Sequence, residues 1–346
     1  MGLKHWLSDY YYSYMKIIRQ VRQKWEVLRF DKSRMQSRLF LYPAYWKYLL
    51  HGKAKGEVDS SQYFAAIPNR GAGIGHQMSN WHAGYWYSQV FGLRHAHIPF
   101  AQKSWERFLG YGDGVVTVSE LKNKGYKIVH IPYFNEYSPE EMGRVRAMMS
   151  QYYGEKVIFC AEQDQSYHDQ IGVIPYIREK FYSSPVRESD LTPFNINHFN
   201  IAVHVRRGDI TIGQINGDPN LLMRWLDNEY FEKVLDQVLG KISTEKEIHI
   251  YLFSQGKKED FKSFERFLNV HYYLDLNPES SFLSFVYADL LITSKSSFSY
   301  KPALLNVKGK KVCPRNFWHA YPDDNDWILA DDSGIIPINQ LDKLDL

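Results

Sequence analysis

A chain of 346 residues, 44% hydrophobic and 23% charged, is long enough for two ordinary cores and excludes collagen-like, disordered and disulfide-miniprotein classes. Cys160 and Cys313 form neither a CxxC pair nor a Cys/His cluster, which argues against structural zinc, iron–sulfur centres or a secreted disulfide framework and favours a reducing compartment. The net charge of +3 is uneven: residues 1–50 carry ten Lys/Arg against three Asp/Glu, +7, leaving −4 for the remainder. A basic excess confined to one end ranks nucleic-acid binding low.

Trp6, Leu7, Tyr10, Tyr14, Ile17, Ile18, Val21, Trp25 and Leu28 recur at helical spacing, with Lys16, Arg19, Arg22 and Arg29 between them. The spacing predicts a basic, aromatic amphipathic helix. It has two uses: a peripheral anchor on an anionic membrane, each basic residue contributing on the order of 1 kcal/mol, or a helix packed on the protein body. No apolar run approaches the ~18 residues of a transmembrane helix. No signal-peptide core follows the start, and Met1-Gly2 is followed by Trp6 where myristoylation uses Ser or Thr.

Beyond the polar stretch 53–61, short apolar runs alternate with longer helical ones. Residues 63–67 read as a strand ending at Pro68-Asn69-Arg70; Gly71, Gly73 and Gly75 follow, then helical spacing over 78–91. Residues 127–131 and 156–160 read as buried strands with a helix over 139–152, and 190–200 is the best linker. After it, 201–205, 247–253 and 289–293 read as strands, with helices over 227–239, 258–268 and 281–287. This alternation predicts two α/β domains with largely parallel sheets.

Parallel α/β sheets bind ligands outside the carboxyl ends of their strands, and three such segments stand out. In Gly71-Ala-Gly-Ile-Gly-His-Gln77, glycines let backbone N–H groups approach a ligand at a helix start; neither a GxGxxG fingerprint nor a Walker loop is present. In Ile201-Ala-Val-His-Val-Arg-Arg-Gly-Asp209, an apolar strand ends in two planar donor forks suited to a diphosphate. Alternation puts His204 and Arg206 on one face and Arg207 on the other, so one arginine suffices for the ligand, with Asp209 to orient it. The plainer use is an Arg–Asp pair at a strand end. In Ala288-Asp-Leu-Leu-Ile-Thr-Ser-Lys-Ser-Ser-Phe-Ser-Tyr300, hydroxyls at a strand-to-helix junction can hold phosphate oxygens, or simply cap a helix with Phe298 in the core.

In order and context, Gly-x-Gly-Ile-Gly-x-Gln, His-Val-Arg-Arg-Gly-Asp and Ser-Ser-Phe-Ser resemble the α1,2/α1,6 and protein O-fucosyltransferase superfamily, nearest the α1,2 branch, over roughly residues 63 to 330. The resemblance implies an α/β GT-B fold: two Rossmann-like domains with parallel sheets facing a cleft, here 56–195 on the acceptor side and 196–346 on the donor side, after a basic helical segment 1–55. It implies an inverting transferase that moves fucose from GDP-fucose to a glycan hydroxyl without a metal or other cofactor.

Carried over by residue, Arg206 becomes the diphosphate arginine with His204 beside it, and Ser296, Ser297 and Phe298 line the nucleotide pocket. Gly73, Gly75, His76 and Gln77 face the sugar; the match does not fix the base-reading acid, for which Asp275 and Glu279 are the candidates. The sequence departs from the α1,2 pattern at three places: His76 for Asn, Tyr300 for Trp and Gln255 for an acid. His76 is the first choice of catalytic base, with Glu162 and Asp164 as rivals. Asp324-Asn-Asp326 formally matches the Asp-x-Asp of metal-dependent transferases but reads as a solvated loop, so no metal site is assigned.

The expected role is surface polysaccharide or lipopolysaccharide synthesis, with a glycan or lipid-linked oligosaccharide acceptor and a peripheral location on the cytoplasmic membrane face through residues 1–50. The alternatives are another inverting GT-B transferase using a different nucleotide sugar, and a non-catalytic glycan-binding protein that exploits the 16% aromatic content.

Overall fold

The computed structural model describes residues 36–51 and 57–344, with 17, 20, 21, 24, 25 and 28–31. Trp6, Leu7, Tyr10, Tyr14 and Ile18 of the expected amino-terminal helix therefore lie outside the described residues, as do Lys16, Arg19 and Arg22. Two short strands, β1 (Phe30–Asp31) and β2 (Gln36–Ser37), pair antiparallel and lead to helix α1 (Pro43–His51).

The chain packs as two compact units, each Rossmann-like and each built on a wholly parallel sheet. The first comprises residues 1–69, 80–98 and 114–167. Its strands β3 (Tyr63–Ala66), β4 (Arg94–His95), β5 (Lys127–Ile131) and β6 (Val157–Ala161) lie in the order β4-β3-β6-β5. β6 is buried at every position, as expected of an apolar run covered on both faces. Helix α2 (Ile74–Phe91) follows β3. Gly84 is required there, because a Cβ would come within 2.9 Å of the Ala66 backbone nitrogen. Helix α3 (Pro139–Ser150) starts at a Ser138 cap with proline at its first position.

The second unit comprises 70–79, 99–113 and 168–346. Its strands are β7 (Phe199–His204), β8 (Ile248–Ser254), β9 (Val270–Leu274), β10 (Leu290–Ile292), β11 (Lys310–Pro314) and β12 (Trp327–Ala330), in the order β12-β11-β10-β7-β8-β9. Counted from β7 as the first strand, this is the 3-2-1-4-5-6 order of a dinucleotide-type Rossmann sheet, and it reverses between β7 and β10. Strand parity sorts the side chains. Ile201, Val203, Ile250, Leu252, Leu290 and Ile292 enter one core with Phe231, Val234 and Leu235 of helix α5 (Asn228–Lys241). His204, on the opposite parity, meets Phe285 of helix α6 (Pro278–Tyr287) and Phe298 of helix α7 (Ser297–Leu305).

Two expectations need correction. A single cut near residue 195 differs from the packing, because helix α4 (Ile174–Ser183) belongs to the second unit: Arg178 donates to the Leu304 and Asn306 carbonyls and Tyr182 to that of Leu305. Trp105 joins it too, with its ring 5.5 Å from Phe282. The helix expected over 258–268 is a kinked 3-10 segment, Lys258–Arg266. Phe261, Phe264 and Phe267 are buried at a spacing of three, the period of a 3-10 turn.

Candidate functional site

The Rossmann order places the ligand position of the second unit at the carboxyl ends of β7 and β10, where strand order reverses. The Arg206 and serine segments occupy those two ends. The Ser294 hydroxyl donates to the His204 carbonyl at 2.7 Å and accepts the Arg206 backbone N–H at 2.9 Å, tying one strand end to the other. The Arg206 guanidinium then lies 2.9 Å from Asp209 and 3.4 Å from the Ser296 hydroxyl. Ser296 caps α7 by accepting the Phe298 N–H. A cation and the positive end of a helix dipole thus share one small region, the arrangement that receives phosphate.

Arg207 turns the other way, as strand alternation predicts. It stacks 4.1 Å over Trp225 and donates to the Leu226 carbonyl and to Asn228 Oδ1 at 3.1 and 2.6 Å. Burial lowers its pKa to about 10, opposed by Asp227 and Asp260. Its hydrogen bonds hold the 225–228 connection. Beside it opens a pocket of about 920 Å³ lined by Gly208, Trp225, Asn228, Gln255 and Asp275 among others. Asp275, the candidate base-reading acid, therefore sits at a cavity wall; Glu279 lies in the capped first turn of α6 and does not line this pocket. Gly208 has φ +71°, and a Cβ there would meet Gln255 Oε1 at 2.1 Å, so Gln255 fills the space beside the turn.

The glycine loop reaches the same serines. A Cβ on Gly75 would lie 2.7 Å from the Ser297 carbonyl carbon, closer than real Cβ atoms approach a backbone. All three sequence segments therefore meet at residues 294–297. Gly75→Ala must displace that loop; if the site is a transferase site, as proposed below, a shift near 1 Å is expected to lower kcat/KM on the order of 10²-fold. Gly73 has open space around it, so Gly73→Ala is expected to leave the melting temperature unchanged.

Other expected site residues divide. His76 is exposed in the first turn of α2, and its charge opposes protonation of His319. Gln77 is buried, and both ends of its amide hold backbone: Nε2 donates to the Ala72 carbonyl and Oε1 accepts the Ala101 N–H. It shapes the loop and does not present a free amide to a sugar. Glu162 is likewise a structural carboxylate, buried and 3.3 Å from Arg29, which removes it as a base. Asp326 pairs with Lys310 at 3.2 Å and accommodates Lys311, so the Asp324-Asn-Asp326 loop is tied to lysines.

One residue at the site gave no sequence signal. His319, in the connection between β11 and β12, stacks on Tyr300 at 4.7 Å and 10° and places Nε2 3.4 Å from the Ser297 hydroxyl. Burial holds its pKa well below the ordinary histidine value. Tyr300 is buried and donates to the Ala320 carbonyl at 2.7 Å.

His204 is neutral near pH 7: burial first, then Arg206 and Arg207, push its pKa down to about 3. The unfolded chain takes up a proton near pH 6.5 that the native state refuses, so stability is expected to fall on acidification below 6.5 by up to about 1.4 kcal/mol per pH unit. Denaturant titrations between pH 7 and 5 should show this slope, and His204→Gln should flatten it.

No protein-family model matches the chain, and no curated relative does. Among solved structures it is similar to the fucosyltransferase NodZ from Bradyrhizobium, at 12% identity and a TM-score of 0.38, over 72% of this chain and 93% of that one. It is also similar to POFUT1 in complex with GDP, at 12% and 0.45 over 76% and 99%. A third similarity is to the E. coli heptosyltransferase WaaC with ADP, at 11% and 0.41 over 82% and 96%.

Proposed function

We propose that this chain is an inverting glycosyltransferase of the GT-B class that binds a GDP-sugar at the carboxyl ends of β7 and β10 and transfers the sugar, fucose, to a glycan hydroxyl. One observation carries the reading: Arg206 and the capped start of α7 converge where a 3-2-1-4-5-6 sheet reverses. The chemistry asks for stabilisation of a leaving diphosphate and release of a proton from the acceptor. Arg206, Ser296 and the α7 amides supply the first as fixed donors in place before the charge develops. His76, exposed in the first turn of α2, is proposed to serve the second.

Asp275 at the cavity wall is the residue proposed to read the base. The acceptor is proposed to be a lipid-linked saccharide, in surface polysaccharide or lipopolysaccharide synthesis, met at the cytoplasmic membrane face. Transfer is proposed to need no metal: Asp326 of the Asp324-Asn-Asp326 loop pairs with Lys310, turnover is expected to be unchanged by EDTA, and a requirement for added Mg²⁺ or Mn²⁺ would overturn this.

The deciding experiment is calorimetry with GDP, UDP and CMP on the full chain. GDP is expected to bind at least tenfold more tightly than either competitor. Preference for UDP moves the donor to a different nucleotide sugar, and glycan binding with no nucleotide binding removes the transferase reading.

A further inference from the structure

At the end of the second sheet opposite to the donor site, three imidazoles and a carboxylate gather. His198 precedes β7, Glu247 precedes β8, His249 is the second residue of β8 and His271 the second of β9. Because the strands are parallel, all four sit at amino ends, and the six residues of β7 separate them from Arg206 by roughly 20 Å at ~3.3 Å per residue. None takes part in the donor site.

We propose that His198, Glu247 and His249 bind a late first-row divalent cation, with zinc as the physiological ion. The Nε2 atoms of His249 and His198 lie 3.6 and 3.9 Å from the same Glu247 oxygen. Ligand atoms on a tetrahedral zinc with bonds of ~2.0–2.1 Å stand roughly 3.3 Å apart, so these separations need close only by a few tenths of an ångström. One donor atom from each of the three residues lies within 4.8 Å of the others. The His198 and His249 rings stack, with centroids 3.8 Å apart and planes within 12°, and both send Nε2 toward the carboxylate. His198 sits on a turn and Glu247 is 62% exposed, so both can rotate onto an ion while His249 stays fixed in the sheet.

The hydrogen bonding around His249 supports a ligand role. His249 Nδ1 lies 2.9 Å from His271 Nε2, so one of these nitrogens donates to the other. With Nδ1 as donor, the proton is on the far side of the ring and the Nε2 lone pair points at Glu247. Buried Nε2 makes no hydrogen bond. A lone pair facing a carboxylate is repulsive unless a cation stands between them, and imidazole ligation by zinc takes this form: one nitrogen on the metal, the other fixed by a second acceptor. His271, with Nε2 2.9 Å from His249 Nδ1, is the positioning residue. Two histidines and one carboxylate match the borderline-soft preference of zinc and its neighbours over magnesium or calcium.

The test uses the full-length, untagged chain, stripped by a chelator and then titrated with ZnCl₂ by calorimetry and with CoCl₂ by visible absorption. One equivalent of zinc is expected, with a raised melting temperature and Co²⁺ d–d bands of a low-coordinate site. His249→Gln is expected to weaken zinc binding at least 100-fold. Glu247→Gln, at an exposed position that does not threaten folding, is expected to weaken it at least tenfold. Arg206→Ala should bind zinc as the parent does, which separates this proposal from the transferase reading. Absence of zinc binding, or the same affinity in Glu247→Gln as in the parent, overturns it. In that case the opposite tautomer, with His271 donating to His249 Nδ1, makes the cluster an ordinary His–Glu pair.

Discussion

Arg206→Ala is expected to lower the proposed sugar transfer by between roughly 30- and 5,000-fold and to leave a folded protein. The guanidinium is at the mouth of the sheet, paired with the 63%-exposed carboxylate of Asp209 and the Ser296 hydroxyl, and contributes to no apolar cluster. Its removal costs little stability, because it leaves no buried charge behind. A fixed cation facing a diphosphate is worth about 2–5 kcal/mol when its partner is left uncompensated, which corresponds to roughly 30- to 5,000-fold in rate and in GDP affinity. Steady-state kinetics, calorimetry with GDP and a melting curve measure the three quantities separately. Near-parental turnover would exclude Arg206 as the diphosphate ligand. Arg207→Ala supplies the contrast: it strips a cation from Trp225 and two hydrogen bonds from the 225–228 connection, so its main effect is a lower melting temperature.

Truncations at two points in the amino-terminal segment have opposite results. Removal of residues 1–27 is expected to release the protein from anionic vesicles with GDP affinity unchanged. Ile17, Val21, Trp25 and Leu28 are helical, spaced to share one face, and about half exposed. An apolar stripe in solvent beside a +7 segment has the chemistry of a membrane interface, with Trp46, Leu49 and Leu50 of α1 adding exposed apolar surface. Binding should weaken steeply with salt, since surface attraction is screened over about 8 Å at physiological ionic strength. Salt-insensitive binding makes aromatic insertion the main force, and no binding removes the membrane from the account.

Removal of residues 1–50 is expected instead to unfold the first unit. Arg29 forms a buried pair with Glu162 and lies 5.5 Å from the ring of fully buried Tyr42. Breaking such a pair from one side costs about 3–5 kcal/mol, comparable to the whole stability of a domain. Circular dichroism and solubility distinguish the two truncations.

Strands whose burial is complete were legible without coordinates. Residues 157–161 are a continuous apolar run, and 199–204 hold the apolar centre Ile201-Ala-Val203; both are strands buried at every position. β9 was not found, because Val270-His-Tyr-Tyr-Leu274 is half-buried throughout and carries no alternation to read. β12 is only four residues long and follows a polar loop. The proximity of segments that are distant in sequence is clearest at strand ends, where Arg206 lies within hydrogen-bonding range of both Asp209 and Ser296. Gln77 was misassigned because local sequence does not show that Ala101, twenty-four positions on, needs its amide oxygen. His319 was missed for a similar reason, since its partner Ser297 belongs to a different connection.

Neither unit is a continuous stretch of chain: the path passes between them five times, at 69/70, 79/80, 98/99, 113/114 and 167/168. This has a consequence during synthesis. Trp105 and Phe108 are made early, yet their partner Phe282 is roughly 180 residues downstream, a wait of about 10–35 s at ~5–20 residues per second. For that interval Trp105 and Phe108 of the second unit lack their Phe282 partner, and until residues 181 and 187 are made Phe108 also lacks Phe181 and Arg187. Yield in a cell should therefore depend on chaperones that hold apolar segments, and separate expression of residues 168–346 should give an aggregating fragment, because Phe282 then lacks Trp105 and Phe108, and Ser297 lacks the glycine loop.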